Sequence, residues 1–205
     1  MYNLPEEYRA DMYPVDFDDD PQDREWQPEV YDYAFNLAEE SGASRVIDLG
    51  CGQARKLQNR GNIEIIGVDR PPVINKCLEL YPDSKIKWYK TDFLHEERLG
   101  LEFEDAVVIS CDVIEHLTDP IQLLDYLMYA LEQGAKCVIL STPDRVVWHG
   151  EHHMGPPPNV AHVREWQIDE LVQFVSEYGF NVMESRLTKS NTVEEICATS
   201  LLVLQ

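Results

Sequence analysis

The sequence has no apolar run of the roughly 18 residues that a membrane-spanning helix needs. Its opening stretch, MYNLPEEYRADMYPVDFDDD, lacks the basic start and apolar segment of a secretory signal. No Cys-x-x-Cys pair occurs among Cys51, Cys77, Cys111, Cys137 and Cys197. That odd, scattered set argues against a disulfide framework or a four-cysteine zinc site, and a reducing, cytoplasmic setting is expected. Cations are scarce: 17 Lys and Arg against 38 Asp and Glu leave a net charge of −21. Such a surface repels phosphate backbones and anionic membranes, which argues against nucleic-acid and membrane partners.

What is present suits one domain. The 205 residues are 44% hydrophobic, enough for a full core. Acids gather at the front, where residues 1–40 hold 13 of them with Arg9 and Arg24 as the only cations. Residues 1–26 read as a solvated acidic leader. Tyr2, Tyr8, Tyr13 and Phe17, interleaved with the acids, make a lid the alternative. Residues 27–205 form the expected domain.

Periodicity alternates along that domain. Pro28 suits a first helical position, Val30, Ala34, Leu37 and Ala38 make an apolar stripe, and Gly42 stops it. Strand-like runs follow at 44–49, 63–68, 86–89, 105–110 and 135–140, separated by helix-like segments at about 53–59, 73–81 and 119–133. Asp119 can cap the last of these, and Gly134 ends it. A helix at 166–178 and strands near 180–188 and 194–204 complete the chain. This is an α/β pattern: a single-domain, doubly wound, seven-stranded sheet, mostly parallel with one antiparallel edge strand.

The segment VIDLGCGQARKL places Gly50 and Gly52 after the first strand, where open α/β sheets bind ligands. The second strand ends in Asp69, suited to ribose hydroxyls. Arg55 stands where a dinucleotide fingerprint needs its third glycine, so a pyrophosphate loop is disfavoured. No Gly-Lys-Ser/Thr follows, so a Walker A loop is excluded as well.

The ordered set VIDLGCG, IIGVDR, KTDF, VVISCDVIEHL and VILSTPD resembles the class I S-adenosylmethionine-dependent methyltransferases over residues 27–205. The resemblance implies six parallel strands and one antiparallel. It places Asp48, Gly50, Cys51 and Gly52 at the cofactor's amino-acid moiety and Asp69, with Arg70 beside it, at the ribose. Asp92 and Phe93 would frame adenine, and Cys111 would lie near the sulfonium. Ala54 stands where many members carry another glycine, and a slight narrowing of the pocket is expected.

CDVIEHL puts Asp112, Glu115 and His116 close together, and a helical path would bring all three to one face. Two carboxylates and an imidazole suit a divalent cation. The same spacing also suits a capped helix start, with Glu115 in a capping box. His162, in HMGPPPNVAHVREW, leads into the helix at 166–178 and can approach from the same sheet edge. The acid-x-x-Glu-His element with a later His-x-x-Glu-Trp resembles metal-dependent O-methyltransferases acting on small-RNA 3′ ends, and its first part resembles ubiquinone-pathway O-methyltransferases. That resemblance implies a cation held by Asp112, Glu115, His116 and His162, although Asp112 stands where glutamate is usual. GEHHMGPPPNVAHVREW also resembles sugar-modifying methyltransferases found beside bacterial glycosyltransferases.

The loop 153–166 is expected to form a stiff wall, since Pro156, Pro157 and Pro158 fix φ. His162, or Glu115 or His116, would serve as general base toward a small-molecule or glycan hydroxyl. An amine acceptor, or a non-catalytic cofactor-binding scaffold, is the alternative. Acceptor identity and oligomeric state are not encoded in any motif.

Overall fold

In a computed structural model describing residues 2–13, 25–92, 100–193 and 195–205, seven strands form one sheet ordered β3-β2-β1-β4-β5-β7-β6. The strands are β1 (Arg45–Leu49), β2 (Glu64–Asp69), β3 (Lys87–Lys90), β4 (Ala106–Cys111), β5 (Cys137–Pro143), β6 (Val182–Thr188) and β7 (Thr199–Leu204). β1 to β5 run parallel, while β7 pairs antiparallel with both β5 and β6. The single reversed strand therefore lies one position in from the edge. β4 and β7 are buried along their whole length, which explains their unbroken apolar runs.

The helices α1 (Pro28–Glu40), α2 (Pro71–Leu80), α3 (Ile121–Glu132), α4 (Arg145–His149) and α5 (Ile168–Tyr178) cover both faces. Val30 and Ala34 of α1 and Ile74 and Cys77 of α2 pack on one face, with Val46, Ile109 and Ile139. Leu123, Leu127, Phe174 and Val175 of α3 and α5 pack on the other, with Ile47, Val108 and Leu140. Each such side chain, fully buried, contributes about 1.5–3 kcal/mol. No helix among the described residues is long and apolar enough to cross a membrane.

The expected helix at 53–59 is only a 3₁₀ turn, Arg55–Leu57. Ala54, Asn59 and Gly61 take φ of 53°, 60° and 81°, and left-handed residues on both sides stop a helix from propagating. α4 was not expected. Asp144, 2% exposed, builds it and sets the start of α5 as well. Its Oδ1 accepts the Val147 N–H at 3.0 Å and its Oδ2 the Ile168 N–H at 2.8 Å. One carboxylate thus caps two helix starts and ties the far end of the loop between them back to the start of α4. Glu170 Oε2 adds a cap by accepting the Gln167 N–H at 2.9 Å.

Candidate active site

The carboxyl ends of β1, β2, β4 and β5 share one edge, and the chemistry collects there. Asp48 is fully buried at the end of β1. Its Oδ2 accepts the Tyr31 hydroxyl at 2.9 Å, while its Oδ1 has no hydrogen-bond partner. Burial pushes its pKa up to about 7, and pushes the Tyr31 phenol well above its ordinary value. Lys56 lies 4.5 Å over the Tyr31 ring, and its charge acts on Asp48 against the effect of burial.

Gly50 turns the chain at φ 85°, and a Cβ there would meet Val113 Cγ2 at 2.4 Å. A side chain is excluded by both conformation and contact. Cys51 is buried, with its thiol 3.7 Å from the Gly52 carbonyl. Asp69 closes the turn: Oδ2 accepts the Gly52 N–H at 2.9 Å and Oδ1 the Arg70 N–H at 2.7 Å. Arg70 is exposed at the start of α2, and Asp92 is half-buried just past β3. Phe93, like Phe17 in the leader, lies outside the described residues. Ala54 holds the left-handed backbone that glycine would otherwise supply, and its methyl is buried.

At the end of β4 a residue from the start of α1 enters. Gln27, 2% exposed, offers Oε1 to the Cys111 thiol at 2.7 Å and to Ser141 Oγ at 3.0 Å. Its amide nitrogen donates to Asp112 Oδ1. The segment before it is pinned: Gln27 N–H donates to the Ser190 carbonyl at 2.7 Å, and Trp26 bridges to Asn191. Asp112 itself takes φ 55°, so the anticipated helical path starts only after it, as a 3₁₀ turn Ile114–His116.

Glu115, His116 and His162 each bring one ligand atom within 4.8 Å of the others. Asp112 is not part of that group. Glu115 is fully buried; Oε2 accepts Thr142 Oγ1 at 2.9 Å and Oε1 has no partner. Burial, with the Asp112 charge added, raises its pKa well above the carboxylate range. Burial likewise raises Asp112. His116 Nδ1 lies 2.8 Å from the Ala161 carbonyl, which can only accept, so Nδ1 carries the proton and Nε2 keeps its lone pair. Burial and the neighbouring His162 lower its pKa to about 4, leaving the ring neutral. The two imidazoles meet edge to face, with centroids 4.9 Å apart.

His162 arrives through backbone ties. Val163 N–H donates to the Glu115 carbonyl at 2.6 Å, and the Arg164 guanidinium donates to the Leu117 and Thr118 carbonyls at 3.2 and 3.0 Å. Trp166, fully buried, stacks on Phe174 and anchors the far end. His153 stays local, accepting the Gly155 N–H at 3.3 Å. The described leader residues pack on this loop. Arg9 N–H donates to the Met154 carbonyl at 2.8 Å, Asp11 N–H to Val163 at 2.7 Å, and Trp166 Nε1 donates to the Tyr2 carbonyl at 3.0 Å.

Two orphaned acceptors define what this edge can hold. Asp48 Oδ1, buried beside a tight glycine turn, fits a cationic amino group of a ligand. Glu115 Oε1, beside the imidazoles of His116 and His162, fits a divalent cation. No motif singles out Gln27, Tyr31, Ser141 or Thr142 as a site residue, since each reaches the site only through packing.

The sequence matches the family described as a methyltransferase domain over residues 20–185. The chain belongs to that family. It is a class I S-adenosylmethionine-dependent methyltransferase, with the fold that the strand pattern anticipated. No curated protein matches the sequence. Among solved structures, the methyltransferase domain of bacterial CtHen1 is similar at 21% identity and TM-score 0.60, with 87% of this chain and 98% of that one covered. The small RNA methyltransferase HEN1 is similar at 21% identity and TM-score 0.67, covering 92% of this chain and 27% of that one. The N-methyltransferase NodS from Bradyrhizobium japonicum WM9, in complex with S-adenosyl-L-homocysteine, is similar at 17% identity and TM-score 0.59, with 91% of each chain covered. At these identities the likeness is one of fold.

Proposed function

We propose that this methyltransferase acts on a hydroxyl oxygen of a small molecule or glycan, with a divalent cation held by Glu115, His116 and His162. The observation that carries the reading is the convergence of those three groups, with Glu115 Oε1 unpartnered and the His116 imidazole neutral. A methyl on a sulfonium is already activated, and a bound cation would lower the pKa of the acceptor hydroxyl. The chain's own task is to place acceptor oxygen and methyl in line at near-attack distance. Amine acceptors have no comparable need for such a cluster.

On the cofactor side, Asp48 Oδ1 takes the amino group, Asp69 the ribose and Asp92 the adenine edge. Cys111 and Gln27 line the region between cofactor and acceptor. Asp112 faces Gln27 and supports the cation site through its charge. The loop 153–166 forms the acceptor wall, with residues 2–13 packed against it.

A second reading, transfer to the terminal ribose of an RNA, draws support from the HEN1 likenesses. The net charge of −21 opposes it, because phosphate contacts dominate such binding. The deciding experiment measures S-adenosylhomocysteine release with Mn²⁺ or with chelator. Oligosaccharides, hydroxylated small molecules, amines and a short RNA are offered in turn. Mn²⁺-dependent release with a hydroxyl acceptor supports the proposal. Release with RNA alone moves the second reading forward, and chelator-insensitive release with an amine overturns both.

A further inference from the structure

The third member of the cluster is held from behind. Glu165 is 2% exposed and sets Oε1 2.6 Å from His162 Nδ1. Its Oε2 lies 3.0 Å from His149 Nε2, at ion-pair distance but without hydrogen-bond alignment. The His162 side is therefore the firmer tie. The Glu165 N–H donates to the Tyr8 hydroxyl at 2.8 Å, which fixes the backbone behind the carboxylate.

The neighbours determine where the His162 proton sits. Asn159 Oδ1 accepts the Ala161 N–H at 3.1 Å, so the other end of that amide, Nδ2, points its hydrogens at His162 Nε2, 2.9 Å away. Nε2 therefore accepts, the proton lies on Nδ1, and Glu165 Oε1 receives it.

We propose that Glu165 is the positioning residue of this site: it holds the His162 proton on Nδ1 and the ring in place, so that the single lone pair of Nε2, which accepts the Asn159 amide hydrogen here, is the one a cation would take in that amide's place. The proposal rests on the cation reading above. A carboxylate behind a histidine ligand fixes its tautomer and raises its basicity, and losing one weakens metal binding about 10–100-fold. Without Glu165, the buried Nδ1–H has no acceptor. The opposite tautomer then forms, and it carries a proton on the nitrogen that must bind.

The test titrates the full-length protein with Mn²⁺, following free Mn²⁺ by electron paramagnetic resonance. It compares wild type with Glu165→Ala, Glu165→Gln and His149→Ala, and measures S-adenosylhomocysteine affinity for each as a check on the fold. Glu165→Ala is expected to weaken Mn²⁺ binding by roughly 10–100-fold, with cofactor affinity kept. Glu165→Gln, which keeps an acceptor oxygen in one amide orientation, loses less, and His149→Ala loses least. Unchanged Mn²⁺ affinity in both Glu165 variants overturns the proposal. So does a parallel loss of Mn²⁺ and S-adenosylhomocysteine, which would mark a general loss of structure. Absence of Mn²⁺ binding by the wild type overturns the cation reading, and this inference with it, and is distinguishable from either.

Discussion

Asp48 provides the sharpest quantitative test of the proposed cofactor pocket. Its carboxyl is fully buried, one oxygen is satisfied by Tyr31, the other is unpartnered, and burial raises its pKa from 3.8 to about 7. Because the folded value lies above the unfolded one, the stabilisation is fully present below pH 3.8 and is lost as pH rises through 7. A rise of roughly three pKa units corresponds to about 4 kcal/mol at full ionisation. His116 acts in the opposite sense. Its folded pKa is lowered to about 4, so its contribution is present above 6.5 and is lost as pH falls through 4. A bare pH profile would mix the two.

The Asp48→Asn variant separates them, since it removes one titration and leaves the other. Urea unfolding of both proteins between pH 5 and pH 8 should show the variant gaining roughly 3 kcal/mol relative to wild type. Adding S-adenosylhomocysteine should reverse the trend, because a cationic amino group beside Oδ1 favours the carboxylate. Binding between pH 5 and 7 should then release a proton, seen as a dependence of calorimetric heat on buffer ionisation enthalpy. A stability difference that does not vary with pH would refute the assignment of Asp48 as a desolvated carboxyl.

Gly50→Ala should cost about 2–5 kcal/mol and abolish S-adenosylhomocysteine binding, since it combines left-handed backbone with a 2.4 Å clash on Val113. Adding Val113→Ala should recover the contact part alone, read by thermal unfolding with and without ligand. Glu115→Gln should leave the unfolding midpoint of the metal-free protein unchanged or higher, because burial disfavours its charge, while Mn²⁺ no longer stabilises it. Asp144→Ala should cost about 2–4 kcal/mol by uncapping α4 and α5 together, with urea unfolding as the measure. Trp166→Ala should cost about 3–5 kcal/mol and expose the 153–166 loop to proteolysis.

Local rules were enough to read much of this chain. Pro28 and Gly42 bracket α1 because a fixed φ starts a helix and a left-handed residue ends it. The apolar runs of β1, β4 and β7 follow from burial on both faces. Gly50, Gly52 and Asp69 marked a tight turn after β1, where positive φ and a hydrogen bond from Gly52 N–H to Asp69 need those residue types. Other features depend on distance in the chain. His162 meets Glu115 and His116 only because Val163 hydrogen-bonds the Glu115 carbonyl at the sheet edge. The spacing around Asp112 suggested a helical face shared with Glu115 and His116, yet Asp112 takes left-handed backbone and the turn begins after it, with the Gln27 amide donating to its carboxylate. Gln27 and Tyr31 carry no sequence signature, because a hydrogen bond between elements depends on packing and not on spacing; Glu165 stands in the His-x-x-Glu-Trp pattern, yet that pattern does not show which atom it touches. The sequence by itself determined the order of the elements and the place of the glycine turn after β1. Tertiary structure alone decided which acid and which histidines share a site, since only close packing sets the few ångströms on which ligation and proton placement depend.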